Sequence, residues 1–202
     1  SSIRRNFGLD DKNQKIPPAE QGIAEMMVDL YKTFNKSLSH EQLFAWHKML
    51  MKGRRDLHDV GAYRTHEDPM QVVSGPVHKP RVHFEAPPSK AMRREMTQFI
   101  KWLNDTAPGR KNPLSALTRA GMAHLHYVCI HPFEDGNGRI GRAIAEKALS
   151  QCLGQPTLIA LSHTIQERKK IYYDSLEKNN KDIEITDWLV YFANTILEAQ
   201  GY

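Results

Sequence analysis

The stretch "PLSALTRAGMAHLHYVCIHPFEDGNGRIGRAIAEKALSQCLG", residues 113–154, decides the fold of this chain. Its first part is apolar on most helical faces, which predicts a central, buried helix from Pro113 towards Ile130. A second helix is predicted to run to about Leu153 and to stop at Gly154. Between them lies "HPFEDGNGRIGR", residues 131–142, which holds three glycines, two acids, two arginines, an asparagine and a histidine. We expect this polar break to serve function rather than packing.

The remaining sequence is mostly helical in its periodicity. Ser39 followed by Gln42 has the spacing of a capping box, which marks the start of a helix. Apolar residues recur on one face of several other segments. Helices are predicted over 18–36, from Ser39 onward, from Pro88 onward, over 162–178 and over 186–199.

One segment departs from helical periodicity. In "VVSGPVHKPRVHFEAPP", residues 72–88, β-branched residues flank two proline-containing turns, which predicts a short hairpin. Its prolines keep the exposed edge out of a larger sheet. The predicted fold class is therefore all-α, a helical bundle around a central buried helix with a small β-hairpin.

Composition restricts the classes of partner. The chain has 202 residues, of which 40% are hydrophobic, enough for a globular core. Its net charge of +5 suits a nucleotide, a nucleic acid or an acidic partner, but the Lys/Arg run of a DNA-binding arm is missing, so we expect no nucleic acid partner. Cys129 and Cys152 stand in apolar helical context and are expected to be buried, reduced thiols of a cytoplasmic protein. No apolar run has the length of a membrane span.

The glycine-rich break suits an anion. Gly136-Asn137-Gly138 leads into the N-terminus of a predicted helix, where unpaired backbone N–H groups and the positive dipole end attract negative charge. Arg139 and Arg142 are three residues apart and share one helix face. Two guanidinium groups beside such a loop match a polyphosphate better than a single carboxylate.

Two further side chains extend this interpretation to catalysis. Asp135 beside a bound anion would be repelled unless a divalent cation such as Mg²⁺ stood between them. His131, four residues earlier and at the close of a helix, has the chemistry of a general base. On the residues alone, an ordinary turn with a structural histidine remains an equal alternative.

Residues 131–142 resemble the complete signature of the Fic/Doc family, H-P-F-x-D/E-G-N-G-R-x-x-R, and every defining position matches. The likeness continues in "GAYR", residues 61–64, just before the predicted hairpin. It also includes "YYDSL", residues 172–176, followed by Asn180. In all, the resemblance extends over about 16–197.

For activity, the resemblance implies transfer of AMP from ATP to a Ser, Thr or Tyr hydroxyl of a target protein, with release of pyrophosphate. His131 would then deprotonate the target hydroxyl, and Asp135 would hold Mg²⁺ against the phosphates. Phe133 would anchor the loop in the core. The phosphate-binding residues implied by the resemblance are Gly136, Asn137, Gly138, Arg139 and Arg142.

Substrate recognition is implied by the same resemblance. Tyr173 would stack on adenine and Asn180 would hydrogen-bond to it. The hairpin would be the family's target-binding flap, which pairs with the target's backbone as an added strand. Val82, His83 and Phe84 are its candidate contacts, with ordinary hairpin packing as the alternative for each side chain.

The resemblance also bears on domain organisation and regulation. It divides the chain into a lead-in segment, residues 1–15, and a Fic-type catalytic domain, residues 16–202. Many family members carry an inhibitory helix whose Glu pairs with the second motif arginine, here Arg142, but this sequence has no match to that motif. We expect the Glu to come from a helix upstream of Ser1 or from a separate antitoxin-like protein. A homodimer is also compatible with the sequence.

Two other functional classes stay open. The same fold could transfer another nucleotide or a different phosphate-containing group, or the loop could sense a nucleotide without catalysis. His124 and His126 lie two apart on one predicted helix and face different sides, so they do not predict a shared metal site. We expect both histidines to be structural.

Overall fold

The computed structural model describes residues 17–74, 76, 78, 80–157, 159, 161–180 and 184–201, and the predicted lead-in segment lies outside these ranges. Eight α-helices and one two-stranded sheet occur in the described residues, which confirms the all-α class. The helices are α1 Pro18–Thr33, α2 His40–Leu50, α3 Met92–Asp105, α4 Ala116–Ile130, α5 Asn137–Leu153, α6 Leu161–Glu167, α7 Lys169–Asn179 and α8 Thr186–Ala199. The strands are β1 Gln71–Ser74 and β2 Arg81–Glu85, and a short 3-10 helix covers Ser89–Ala91.

Local sequence signals mark several helix ends. Ser39 caps α2, and its hydroxyl accepts a hydrogen bond from the Gln42 amide at 3.2 Å, as the capping-box spacing predicts. Gly154 ends α5 in the left-handed conformation at φ 72°. The central helix begins at Ala116 rather than Pro113, because Ser115 is still extended at ψ 153° and forms the N-cap.

The predicted single helix over 162–178 is two helices. Arg168, with φ −117° and ψ 35°, leaves the helical region between α6 and α7. No glycine or proline marks this break in the sequence, so periodicity alone could not find it. The break matters because both short helices contribute residues to the site described below.

Helices α4 and α5 form the centre of the molecule. Ala120, Ala123 and Ala145 are fully buried there, and small side chains allow the two helices to approach closely. At Gly141 an added Cβ would lie 3.1 Å from the Val128 side chain. The two helices flank residues 131–136, so their close packing fixes the ends of the polar break.

His124 belongs to the core, in keeping with the structural role expected for it. It is fully buried in α4 and stacks on Phe192 of α8 with ring centroids 4.9 Å apart. Its Nε2 lies 2.9 Å from the hydroxyl oxygen of Tyr172 on α7. His126 instead meets the edge of the Phe99 ring, at 5.2 Å between centroids. The two histidines therefore have different neighbours, as the spacing predicts.

The predicted hairpin is present. Strands β1 and β2 pair antiparallel with Gln71 opposite Glu85, and the register shifts between Val72 and Val73. Such an irregularity bends and twists a strand pair. The hairpin lies against α7, and its Arg81 forms ion pairs there with Asp174 and Glu177.

Two further features of the described residues are the composition of their helices and the state of their two cysteines. None of their helices combines the length and apolarity needed to cross a bilayer. Cys129 and Cys152 are free thiols, but both are half-buried rather than buried as expected. Cys152 lies in the last turn of α5 beside Leu153, whose side chain is exposed, so this turn is at the edge of the core.

Gly22 allows α1 to pack directly against the end of α2. A Cβ at this position would lie 1.8 Å from the carbonyl oxygen of Met49. Although Ala is the better helix former, we predict that Gly22→Ala lowers the free energy of unfolding by about 3 kcal/mol, the upper end of ordinary overpacking. Urea denaturation measures this. Glu20→Ala, at an exposed position of the same helix, should change stability by less than about 0.5 kcal/mol. Equal stability of the two variants would contradict this packing.

Candidate active site

A cavity of about 330 Å³ opens where α4 ends and α5 begins. Its volume is within the range of roughly 300–1,000 Å³ that is usual for small-molecule sites. The predicted site residues that line it are His131, Asp135, Gly136, Asn137, Gly138, Arg139, Arg142 and Tyr173. Five further lining residues were not predicted from the sequence, namely Glu134, Ile165, Gln166, Lys169 and Tyr172.

The cavity begins at a backbone turn. His131 ends α4 at φ 51° and ψ 58°, and it is the one non-glycine residue with positive φ in the described part of the chain. The left-handed conformation costs a residue with a Cβ about 1–2 kcal/mol. The Arg64 side chain and backbone compensate by donating to the His131 carbonyl at 2.8 Å and to the Pro132 carbonyl at 2.9 Å. The turn directs the chain out of the core and into the polar loop.

Phe133 and Asn137 hold the loop to the core. Phe133 is fully buried, as its predicted anchoring role requires. The Asn137 side chain accepts from the Phe133 amide at 3.0 Å and donates to the Phe133 carbonyl at 2.7 Å. Because its amide group shapes the loop in this way, the backbone N–H of Asn137 is the better candidate for a phosphate contact, which stays a prediction.

His47, a residue of α2, supports the loop from the other side. Its ring stacks on Phe133 with centroids 4.1 Å apart. The Gly61 amide donates to His47 Nδ1 at 2.9 Å, so the ring proton is on Nε2, which lies 3.2 Å from the Asp135 carbonyl and donates to it. The His47 ring therefore contacts the loop on both sides of Glu134, through the Phe133 ring and the Asp135 carbonyl.

Glycines bring the α5 N-terminus close to the cavity. Gly136 is the N-cap at φ 84°, and a Cβ there would lie 2.8 Å from the Met51 side chain. A Cβ at Gly138 would lie 3.3 Å from the Arg142 guanidinium. The first residues of α5 line the cavity, so its unpaired N–H groups and positive dipole end are available to an anion.

Asp135 is surrounded by positive charge. Its carboxylate lies 2.6 Å from Arg54 Nη1 and 3.4 Å from Arg139 Nη2, and it accepts from the Gly136 amide. Burial alone would raise the pKa of Asp135, but the bonds from Arg54 and Gly136 and the charge of Arg139 hold it below its usual value. Asp135 is therefore an anion at neutral pH. Arg54 was not predicted from the sequence to belong to the site.

The second motif arginine is oriented by α6. Arg142 Nε donates to the hydroxyl of Ser162 at 2.8 Å, and burial lowers the pKa of Arg142 from its ordinary value. Arg139 lines the same cavity from three residues earlier, as the helix spacing predicts. Two guanidinium groups therefore meet the cavity near the α5 N-terminus.

His131 is a neutral imidazole with one free nitrogen. Its Nδ1 lies 3.1 Å from the Val128 carbonyl, which can only accept, so Nδ1 carries the proton and Nε2 keeps a lone pair. Burial lowers the pKa of His131 to about 4, although the Val128 bond acts in the other direction. His131 thus combines a cavity position with the protonation state that a general base needs.

The opposite end of the cavity is built by the two short helices after α5. Ile165 and Gln166 come from α6, while Lys169, Tyr172 and Tyr173 come from α7. Tyr173 therefore lines the cavity, and its stacking on adenine stays a prediction. Asn180 follows α7 as its C-cap and is not among the lining residues, so its contact with adenine stays a prediction.

The three predicted flap contacts are in β2, and Val82 and Phe84 are not among the residues that line the cavity. The Val82 side chain is 45% exposed, and Phe84 is half-buried. The His83 side chain lies outside the described part of the structure. Arg81 Nη2 meets Glu177 of α7 at 2.7 Å, which places the hairpin beside the helix that carries Tyr173.

The described residues contain no group of three or more His, Cys, Asp or Glu side chains that could hold a metal by themselves. A single carboxylate beside an anion-binding loop nevertheless fits Mg²⁺, which often uses one or two carboxylates and takes further ligands from phosphates and water. Asp135 supplies that carboxylate, so the chemistry of the site is compatible with the predicted ion.

Comparison with known proteins connects this geometry to a family. The family model described as "Fic/DOC family" matches residues 37–149, more than half of the chain. The chain belongs to this family. The match includes the whole polar loop and most of α5, and it confirms the resemblance predicted from the sequence.

Named relatives of this Fic domain are much longer proteins. "Protein adenylyltransferase fic-1" of Caenorhabditis briggsae is 26% identical over 143 residues, which are 71% of this chain and 24% of that protein. "Protein adenylyltransferase Fic" of Aedes aegypti is 37% identical over 86 residues, which are 43% of this chain and 16% of that protein. The chain thus spans a quarter or less of the length of these relatives.

Solved structures share the fold. A Fic family protein from Desulfovibrio desulfuricans G20 superposes with a TM-score of 0.72 at 22% identity, over 99% of this chain and 57% of that chain. A Fic domain containing signaling protein from Bacteroides thetaiotaomicron VPI-5482 gives 0.69 at 18% identity, over 98% of this chain and 76% of that chain. At these identities the likeness supports the fold.

The buried histidines predict a steep loss of stability in mild acid. Burial lowers the pKa of His47 to about 4 and that of His124 to about 3, against about 6.5 in an unfolded chain. Below about pH 6.5 the unfolded chain therefore binds protons that the folded chain does not. Their stabilisation is full above that pH and declines towards about pH 4, by up to about 1.4 kcal/mol per pH unit for each histidine.

Urea denaturation between about pH 7.5 and about pH 5 measures this slope. His124→Phe keeps an aromatic ring without the titrating group, so its free energy of unfolding should depend less on pH than that of the wild type. The same slope in both proteins would contradict the assignment of the buried, neutral imidazole.

Proposed function

We propose that this domain, residues 16–202, is a protein adenylyltransferase. It transfers AMP from ATP to a Ser, Thr or Tyr hydroxyl of a target protein and releases pyrophosphate. The observation that carries the proposal is one cavity lined by a neutral imidazole, a carboxylate, two guanidinium groups and a helix N-terminus. The names of the relatives, which are protein adenylyltransferases, support the same activity.

The charges of the site indicate where the phosphates of ATP bind. The N–H groups at the start of α5, with Arg139 and Arg142, bind the triphosphate and stabilise charge on the departing pyrophosphate. Mg²⁺, held by Asp135, would neutralise further phosphate charge. Arg54 Nη1 lies 2.6 Å from this carboxylate and would have to release it if the cation bound the same oxygen. The chain's own part in phosphate chemistry is positioning and charge stabilisation.

The transfer step uses the free nitrogen of His131. Nε2 takes the proton of the target hydroxyl while that oxygen attacks the α-phosphorus. A new bond forms between the target oxygen and phosphorus, and the bond from the α-phosphorus to the bridging oxygen breaks. Pyrophosphate leaves with the electron pair of that bond, and the imidazolium later gives its proton to solvent.

Recognition of the two substrates is divided between α7 and the hairpin. Tyr173, with Tyr172 and Lys169 beside it, receives the base end of ATP by stacking. The exposed hairpin, here proposed as the flap, presents the target segment as an added strand. A Glu from an inhibitory helix or an antitoxin-like protein would pair with Arg142 and compete with phosphate there.

The central test is the transfer reaction itself. After incubation with ATP and Mg²⁺, alone or with candidate target proteins, mass spectrometry should detect a mass increase of one AMP. Among several nucleoside triphosphates, ATP should be the preferred donor. A clear preference for another donor would favour transfer of a different nucleotide.

His131→Ala separates catalysis from binding. We predict that it abolishes AMP incorporation, because the base is removed, while calorimetry shows ATP binding within about threefold of the wild type. His163→Ala is the control, since His163 is exposed and lies outside the cavity. Unchanged incorporation by His131→Ala would show that another group accepts the proton.

Asp135→Asn tests the cation site without depending on turnover. In the wild type we predict that Mg²⁺ strengthens ATP binding, and in the variant this strengthening should be lost because the amide is a poor ligand for the ion. Calorimetric titration of ATP with and without Mg²⁺ measures both affinities. The same Mg²⁺ dependence in both proteins would place the cation elsewhere.

A further inference from the structure

A buried arginine lies behind the proposed catalytic histidine. Arg64, in the connection between α2 and β1, is 2% exposed, although arginine is almost never fully buried without compensation. The sequence resemblance places it in the segment before the flap and gives it no role. Its surroundings in the structure assign one.

Arg64 connects two parts of the molecule that are far apart in sequence. On one side, Nε donates to the His131 carbonyl at 2.8 Å, and the Arg64 backbone amide donates to the Pro132 carbonyl at 2.9 Å. On the other side, the guanidinium donates to the Pro87 carbonyl at 2.5 Å and to the Ser89 hydroxyl at 2.7 Å. Pro87 and Ser89 follow β2, so one planar group joins the turn of the proposed base to the end of the hairpin.

These four acceptors are neutral, and no acidic side chain of the described residues is within ion-pair distance of Arg64. Burying a cation among neutral groups is unfavourable, and its hydrogen bonds offset only part of the lost hydration. Burial accordingly lowers the pKa of Arg64 from its ordinary value. If this position served only to hold the fold together, an apolar side chain could pack here without the desolvation of a cation. The buried guanidinium therefore needs another explanation, and its set of hydrogen bonds provides one.

We propose that Arg64 is a positioning residue, which holds the His131 turn and the base of the flap in one fixed relation. The inference rests on the proposed function, in which His131 Nε2 must meet a hydroxyl that the flap presents. A displacement of about 1 Å between base and hydroxyl can cost a hundredfold in rate. The planar fork of Arg64 spans both sides, whereas the single ammonium of a lysine cannot make the same set of bonds.

The test compares three variants. Arg64→Lys keeps the charge and loses the fork, and Ser89→Ala removes only one bond on the hairpin side. Arg94→Lys is the matched control, because Arg94 is exposed on α3. For each protein the rate of AMP incorporation at saturating ATP, the calorimetric Kd for ATP, the melting temperature and the imidazole ¹⁵N spectrum of His131 are measured.

We expect Arg64→Lys to lower the rate about tenfold or more, with the Kd for ATP within about threefold of the wild type. The wild-type spectrum should show one tautomer with the proton on Nδ1, and the variant should show a shifted or mixed tautomer. Ser89→Ala should lower the rate less and leave the His131 spectrum unchanged. Arg94→Lys should match the wild type in every measurement.

Two results would overturn the proposal. One is an Arg64→Lys protein with the rate and the His131 spectrum of the wild type. The other is a fall in rate that only follows a proportional loss of ATP affinity and melting temperature, with an unchanged spectrum. If Arg64→Lys does not fold, Ser89→Ala decides, and a wild-type rate for that variant would count against the connection to the hairpin.

Failure of the proposed function is distinguishable from these results. A wild-type protein without AMP incorporation would reject adenylyl transfer. The spectra would then still report whether Arg64 fixes the His131 imidazole.

Discussion

The left-handed turn at His131 is the constraint on which the site depends. A helix that continued through residue 131 would carry the polar segment along the core, and its buried charges would be costly. The turn instead ends α4 at the cavity and lets a glycine N-cap start α5 in a new direction. Its strain is offset by hydrogen bonds from Arg64, by the packing of Phe133 and by the amide of Asn137.

This turn brings positive and negative groups together in one cavity, and the positive groups outnumber the carboxylate of Asp135. The start of α5 and two arginines favour an anion, while Asp135 favours a cation. Arg54 and Arg139 hold the carboxylate in the protein alone, and phosphates with a divalent ion would replace that arrangement. The imidazole beside them stays neutral because burial disfavours its charged form. Burial of the His131 ring therefore keeps its Nε2 lone pair available for a proton.

Much of the site could be predicted from the sequence because its signals are local. Glycines at an N-cap and arginines three apart dictate the geometry of residues 136–142 wherever a helix follows. The contributions of Arg54 and Arg64 could not be predicted, since tertiary contacts bring them to the loop from far along the chain. The break at Arg168 was missed because the sequence has no helix breaker there. Tyr173 and Asn180 both come after this break, but only Tyr173 lines the cavity, because Asn180 is the C-cap at the end of α7.

A crystal structure of the protein with Mg²⁺ and a non-hydrolysable ATP analogue would show directly whether the triphosphate binds at this turn. We predict a triphosphate across the first turn of α5, within hydrogen-bond distance of its backbone N–H groups and of Arg139 and Arg142. We also expect the α-phosphorus to face His131 Nε2. A triphosphate bound elsewhere, or one in this cavity with its α-phosphorus turned away from the imidazole, would contradict it.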